Sequence, residues 1–297
     1  MTLIPLDEVR MNRPREARSR LPPWFKVRLQ QGPDYRDIRQ AVDRLGLHTI
    51  CEEARCPNIW ECWNSRTATF LILGDICTRR CHYCSVTTGK PLAVDRGEPL
   101  RVAQAVQAMR LKHAVVTSVN RDELEDGGAA VFAETIRQIR RLNQACTVEV
   151  LIPDFEGNEP ALRTVAAERP EILNHNIETV ERLFPSIRPQ GKYRRSIELL
   201  ERAKGMGVTT KSGLIIGMGE TKDEIRLVMR DLRAAGCDIL TIGQYLQPTR
   251  EHLLVSRFYH PDEFAALKQE GTALGFSHVE AGPLVRSSYH AAEQVSP

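Results

Sequence analysis

An α/β fold is predicted, in which six βα units set parallel strands side by side in an incomplete barrel open on one side. Three observations predict it. Apolar runs of strand length alternate with amphipathic helical runs from about residue 68 to residue 280, the pattern of parallel strands with helical crossovers. The 297 residues accommodate a TIM-like barrel of about 250 residues plus terminal extensions. Polar and glycine-bearing stretches follow the apolar runs, and such barrels carry their chemistry at the carboxyl ends of strands.

Taken in order, residues 1–33 hold Pro14, Pro22, Pro23 and Pro33. They read as an irregular, wrapping segment whose Leu21-Pro-Pro-Trp-Phe25 patch packs on the body. Ile38, Val42 and Leu45 lie at helical spacing, so a short helix over 34–47 delivers the chain to Cys51. The first strand is the apolar run 68–74. Further strands are expected at 113–119, 147–153, 172–177, 209–217 and 238–244, and the short run 277–281 adds a final one. Helices are expected at 100–110, 128–144, 160–167, 194–206, 222–235 and 261–274. No repeat or low-complexity linker interrupts this alternation. The chain therefore divides into an extension over 1–66, a barrel over 67–282 and a tail over 283–297.

With 42% hydrophobic and 27% charged residues and a net charge of +3, the chain lacks the electrostatic footprint of a nucleic-acid binder. No run approaches the ~18 apolar residues of a membrane helix, and the amino terminus lacks a secretory pattern. Asp7, Glu8 and Glu16 argue against an organelle transit peptide. A cytoplasmic site with no membrane partner is the expectation. Of eight Cys, six lie between positions 51 and 84, which in a reducing compartment points to metal rather than disulfides. Cys146 and Cys237, at strand edges, read as small buried hydrophobes.

The chemistry centres on Cys77-Thr-Arg-Arg-Cys-His-Tyr-Cys84, directly after the first strand. Three thiols on one short loop suit a soft metal centre, and a [4Fe–4S] cubane held by only three leaves one iron open to a small molecule. A second trio, Cys51, Cys56 and Cys62, stands at spacings of four and five residues. Two zinc sites completed by His48 and His82 are the competing reading; the lack of a Cys-x-x-Cys pair in the second trio weighs against it. After the second strand, residues 117–128 are too polar for core. Asn174 and Asn176 share a face by period two. Gly213-Leu-Ile-Ile-Gly-Met-Gly-Glu220 places three glycines in an apolar run, a mark of close ligand approach or a bulge. Arg188 and Lys211 are cationic candidates for a carboxylate. His175, His290 and Tyr245 have packing or hydrogen-bonding roles as their plain alternatives.

The Cys-x3-Cys-x2-Cys spacing with Tyr83 before the last thiol resembles the signature of the radical S-adenosylmethionine superfamily. That resemblance implies a [4Fe–4S] cluster on Cys77, Cys81 and Cys84 whose open iron chelates S-adenosylmethionine, and reductive cleavage to a 5′-deoxyadenosyl radical. It places Gly213, Ile215, Gly217 and Glu220 beside the adenine, and Asp126, Gly127 and Gly128 at the methionine amino group. Tyr83, Asn174, Asn176, Arg188 and Lys211 complete the expected cofactor-binding set.

The two trios and Arg286-Ser-Ser-Tyr289, with Leu21-Pro-Pro-Trp24, Ile187-Arg-Pro189 and Gly243-Gln-Tyr-Leu-Gln-Pro-Thr249, closely resemble the lipoyl synthase family over nearly the whole chain. Trp60 departs from it, standing where a small residue is expected. The resemblance implies an auxiliary [4Fe–4S] cluster on Cys51, Cys56, Cys62 and a serine oxygen, Ser287 or else Ser288. An oxygen ligand is a poor match for iron beside thiolates, a weak corner suited to a cluster that is taken apart. Arg286 would screen the cluster's charge or hold the serine. The implied activity is sulfur transfer from this cluster to C6 and C8 of an octanoyl chain on a lysine of a lipoyl carrier domain. The implied partners are the E2 subunits of 2-oxoacid dehydrogenases, the glycine cleavage H protein, and ferredoxin or flavodoxin as reductant. The rivals are a biotin synthase-like sulfur-inserting enzyme and, from another class, a zinc-stabilised binding module.

Overall fold

A computed structural model describes residues 21–26, 32–54 and 56–294. The expectations for residues 1–20 lie outside the described residues.

Helix α1 (Pro33–Leu45) buries Ile38 and Val42 and ends at Gly46, whose left-handed φ of 57° turns the chain. Strand β1 (His48–Thr49), helix α2 (Ile50–Glu53) and helix α3 (Ile59–Asn64) carry the first cysteine trio. The barrel begins with β2 (Thr69–Ile72), followed by the two-residue strands β3 (Ile76–Cys77) and β4 (Thr87–Thr88), which pair only with each other. Then come α4 (Glu98–Ala108), β5 (His113–Ser118), α5 (Ala129–Leu142), β6 (Thr147–Leu151), α6 (Glu159–Ala166) and β7 (Ile172–Asn174). The chain continues through α7 (Phe184–Ile187), α8 (Tyr193–Gly205), β8 (Thr210–Ile216), α9 (Lys222–Ala234), β9 (Ile239–Gln244), α10 (Pro261–Ala273) and β10 (His278–Gly282).

The main sheet has eight strands in the order β1-β2-β5-β6-β7-β8-β9-β10. Every pairing is parallel except that of β1 with β2. The final strand expected at 277–281 is therefore real. β1 and β10 are the edges of the sheet, so the barrel is open between them. All six residues of β9 and all four of β2 are buried, as befits strands covered on both faces. The helices cover the outside with one apolar stripe each. In α9, Ile225, Val228, Met229 and Leu232 turn inward, and Thr221 and Glu224 bond each other's backbone N–H in a reciprocal cap. Trp24 packs edge-on against His260 and Phe25 against Phe258, so the amino-terminal patch does dock on the body. Cys146 and Cys237 are buried, as expected.

The base of the barrel is polar but closed. Lys211 Nζ lies 3.0 Å from both oxygens of Glu149, and Asn174 Nδ2 donates to the same carboxylate at 3.0 Å. All three side chains are fully buried. Burial alone would keep Glu149 protonated, yet Lys211 and His113 hold its pKa below the usual carboxylate range. Among the described residues no helix is long and apolar enough to cross a membrane.

Candidate active site

The carboxyl ends of the strands open on a cavity of about 300 Å3. Cys77 reaches it because β3 leaves the main sheet right after β2. Its Sγ accepts backbone N–H groups of Arg79 at 3.4 Å and Asn120 at 3.3 Å. Cys81 and Cys84 share the wall; burial pushes Cys84 up to about 12 and raises Cys81 against the pull of Arg188. The loop between them is fastened from several sides. Arg79, buried, pairs with Asp122 at 2.8 Å and with Asp154 at 2.6 Å. His82 Nδ1 sits 2.6 Å from the Ser186 carbonyl, and His252 Nε2 lies 2.9 Å from that of Cys84.

The first trio stands on the open side of the barrel. Cys51 is buried, Cys56 and Cys62 half-buried, and each is electrostatically coupled to another thiol of the trio or to Arg286. Burial drives their thiol pKa values up, that of Cys51 to about 12. These thiols are not in the cavity wall; Ile50, Ala54 and Arg286 are. The two cysteine segments meet directly, because Ser85 Oγ donates to the Glu53 carbonyl at 2.7 Å. Gly243 on β9 lets the tail join them: a Cβ there would stand 2.1 Å from the Val285 carbonyl. Ser287 consequently lies in the cavity wall, its Oγ accepting from Asn176 Nδ2 at 3.3 Å. Ser288 does not line the cavity.

Among the described residues no three Cys, His, Asp or Glu side chains crowd closely enough to hold a single metal ion. His48 is on Glu53 at 3.4 Å and His82 is turned to Ser186, which leaves the zinc reading without its histidines. The donor set fits larger, anionic clusters. Six free thiols stand in two groups, and the half-buried Arg286 has its own Val285 carbonyl as hydrogen-bond partner and Cys56 as neighbour. The wall also fits a polar cofactor: Ser118 Oγ, Asn120 Oδ1 and Asn176 Oδ1 are buried there without hydrogen-bond partners.

Of the expected cofactor contacts, Tyr83, Asn176, Arg188, Gly213 and Ile215 line the cavity. Seven others do not. Asn174 and Lys211 face the barrel interior, but one level deeper, spent on Glu149. Asp126 takes the N–H groups of Gly128 and Ala130 at 2.8 Å each, capping α5. Gly127 faces a separate surface cleft, and a Cβ on Gly128 would strike Leu73 at 2.3 Å. Gly217 and Glu220 form a turn of their own, in which Glu220 accepts N–H groups of Gly217 and Met218 and the Tyr259 hydroxyl. All seven have neighbours within the protein; at Gly127 the Phe155 ring lies 2.9 Å from where a Cβ would stand.

Sequence reasoning missed Glu178, a carboxylate in the wall that burial pushes up while Arg188, Asn176 and Tyr83 pull it down. Continuing the period-two reading from Asn174 and Asn176 reaches it. His175, also in the wall, bonds Ile152 O at 2.9 Å and Ser196 Oγ at 3.0 Å, and burial with Arg188 nearby pushes its pKa down to about 4.

Comparison with known proteins places this geometry. The model of the radical SAM superfamily matches residues 71–232, and that of the N-terminal domain of lipoyl synthase matches residues 6–56. The lipoyl synthase of Rubrobacter xylanophilus is 61% identical, covering 92% of this chain and 86% of the relative. The chain belongs to the lipoyl synthase family. The lipoyl synthase of Shouchella clausii is 58% identical over 95% of this chain and 92% of its own. Solved structures at far lower identity share the fold. Methylornithine synthase gives a TM-score of 0.55 at 13% identity, covering 86% of this chain and 82% of that one. The FeFe-hydrogenase maturase from Carboxydothermus hydrogenoformans gives 0.56 at 15%, covering 88% and 77%. As a lipoyl synthase family member, the chain is a sulfur-inserting radical S-adenosylmethionine enzyme with [4Fe–4S] clusters and S-adenosylmethionine as cofactors.

Proposed function

We propose that this chain converts an octanoyl group, amide-linked to a lysine of a lipoyl carrier domain, into the lipoyl group, and that the two cysteine trios divide the work. Cys77, Cys81 and Cys84 hold the cluster at which S-adenosylmethionine is cleaved. Cys51, Cys56, Cys62 and Ser287 hold the one that gives up sulfur. When bound, these groups supply what no side chain can, a carbon-centred radical to break unactivated C–H bonds and sulfide to fill the positions opened.

The protein's own residues orient and enclose. The single observation that carries the reading is that Ser287 of the tail and the three thiols of 77–84 share one cavity wall, together with Ile50 and Ala54 of the other cysteine segment. Ser287 is preferred over Ser288 on that ground. Apolar wall residues such as Leu151, Ile152, Ile215 and Leu246 suit an acyl chain and keep water away from a radical. The unpartnered Ser118, Asn120 and Asn176 oxygens suit the cofactor's amino and hydroxyl donors, and the buried Arg188 suits a carboxylate. The carriers are E2 lipoyl domains and the H protein, the reductant a ferredoxin or flavodoxin, and the site of action the cytoplasm.

The test is anaerobic incubation of the reconstituted enzyme, carrying about eight iron per chain, with an octanoyl-lysyl peptide, dithionite and S-adenosylmethionine. Mass spectrometry should show two sulfurs added and 5′-deoxyadenosine released. Ser287→Ala should still release deoxyadenosine but add no sulfur. Undiminished sulfur insertion by that variant would remove Ser287 from the site.

A further inference from the structure

The segment that carries Ser287 is fastened at one carboxylate. Glu61 Oε1 accepts the Tyr289 hydroxyl at 3.1 Å and lies 3.2 Å from His290 Nε2; its Oε2 is 3.3 Å from the same hydroxyl. The Tyr289 and His290 rings stack with centroids 4.0 Å apart. His290 has a φ of +52°, a left-handed conformation disfavoured for a side chain with Cβ and kept only where surroundings enforce it. Gln294 Nε2 donates to the Tyr289 carbonyl at 3.0 Å. Upstream of the serine, Asn58 Nδ2 donates to the Leu284 carbonyl at 2.6 Å.

The placement of these contacts is what matters. Glu61 sits on α3 one residue before Cys62, and Tyr289 lies two residues after Ser287. One side chain therefore ties the thiol-bearing helix to the serine-bearing turn. Among the described residues, the Ser287 side chain has one hydrogen bond, the long one from Asn176. A hydroxyl is a weak iron donor and gains most from being held at high effective concentration.

We propose that Glu61 is a positioning residue: by gripping Tyr289 and His290 it keeps Ser287 Oγ at the Cys51, Cys56 and Cys62 centre. The proposal rests on the reading of Ser287 as that centre's oxygen donor. Glu61 is exposed, with 55% of its side chain open to solvent, so replacing it leaves the core intact.

Glu61→Ala and Glu61→Gln test it, with two readouts on the full chain. Hydrogen exchange of residues 284–294 in the metal-free protein reports the grip alone. Mössbauer spectra of the reconstituted protein report the oxygen-ligated iron, and cofactor cleavage at the other trio is the internal control. Glu61→Ala should speed tail exchange by about tenfold or more and erase the oxygen-ligated iron site. Glu61→Gln, which keeps an acceptor for the Tyr289 hydroxyl, should recover most of both. Tail exchange within about twofold of wild type in Glu61→Ala overturns the proposal. So does a loosened tail whose oxygen-ligated iron persists. Ser287→Ala separates the two ideas: if its oxygen-ligated signature survives, the reading of Ser287 fails whatever Glu61 does.

Discussion

Around Cys77, Cys81 and Cys84 the chain is bolted to the barrel through buried ion pairs: Arg79, 1% exposed in its side chain, joins the loop to Asp122 after β5 and to the fully buried Asp154 after β6. Around Cys51, Cys56 and Cys62 the fastenings are of another kind. They are hydrogen bonds without a buried charge pair: the Asn58 side chain, itself buried, to the Leu284 carbonyl, and the exposed Glu61 to Tyr289 and His290. Buried charge pairs are costly to break, whereas exposed contacts contribute little each. On the proposed division of work, the difference sets the radical-generating centre in the part of the fold held by buried charge pairs and the sulfur-giving centre in the part held without them.

The comparison breaks most readily at Arg79. Arg79→Leu leaves the buried Asp154 with Arg195 alone, at 3.2 Å, and should cost about 3 kcal/mol of stability in urea titration. A cost below about 1 kcal/mol would mean that the loop is not anchored as described. Ser287→Ala, on the looser side, should leave the urea midpoint unchanged.

A second break uses pH. His175 has its pKa pushed down to about 4 by burial and by Arg188, against an ordinary value of 6.5. Between those values the unfolded chain binds the proton and the folded one does not, so stability falls as pH falls through that window. At ~1.4 kcal/mol per unit the loss approaches ~3 kcal/mol. His175→Gln removes this component, so the stability gap between wild type and variant should narrow from pH 7 to pH 4; a constant gap would show that the imidazole is not held neutral. The smallest effect sharpens a correction. Asp126→Ala should cost about 1 kcal/mol as a lost cap with an unchanged KM for S-adenosylmethionine; a raised KM would return Asp126 to the cofactor.

The architecture was legible because each βα unit announces itself twice, by an apolar run and by an amphipathic one. The ends of α9 and α10 fall within a residue of the sequence reading. The thiols were legible because their spacing is chemistry in itself. Depth was not. Period two gives the face of a strand but not the level along the barrel axis, so it does not foretell that Asn174 and Lys211, turned inward, meet at the buried Glu149 carboxylate. Nor does a glycine-rich string say what approaches it. At Gly213 it is the Asn176 side chain, 2.6 Å from where a Cβ would stand, but at Gly217 it is Gln244, at 2.0 Å. The Arg79 anchor was invisible because Asp122 and Asp154 converge on it only after two strands are laid side by side.

One consequence follows from where the second centre draws its parts. The hydrogen bond from Asn58 to Leu284 spans 226 residues of chain, and the whole barrel must be wound correctly before those two meet. The thiols of each trio are neighbours even in a nascent polypeptide. A half-folded molecule can therefore gather either trio but not Ser287, so on the proposed reading the sulfur-giving centre stays incomplete in any copy that has not matured.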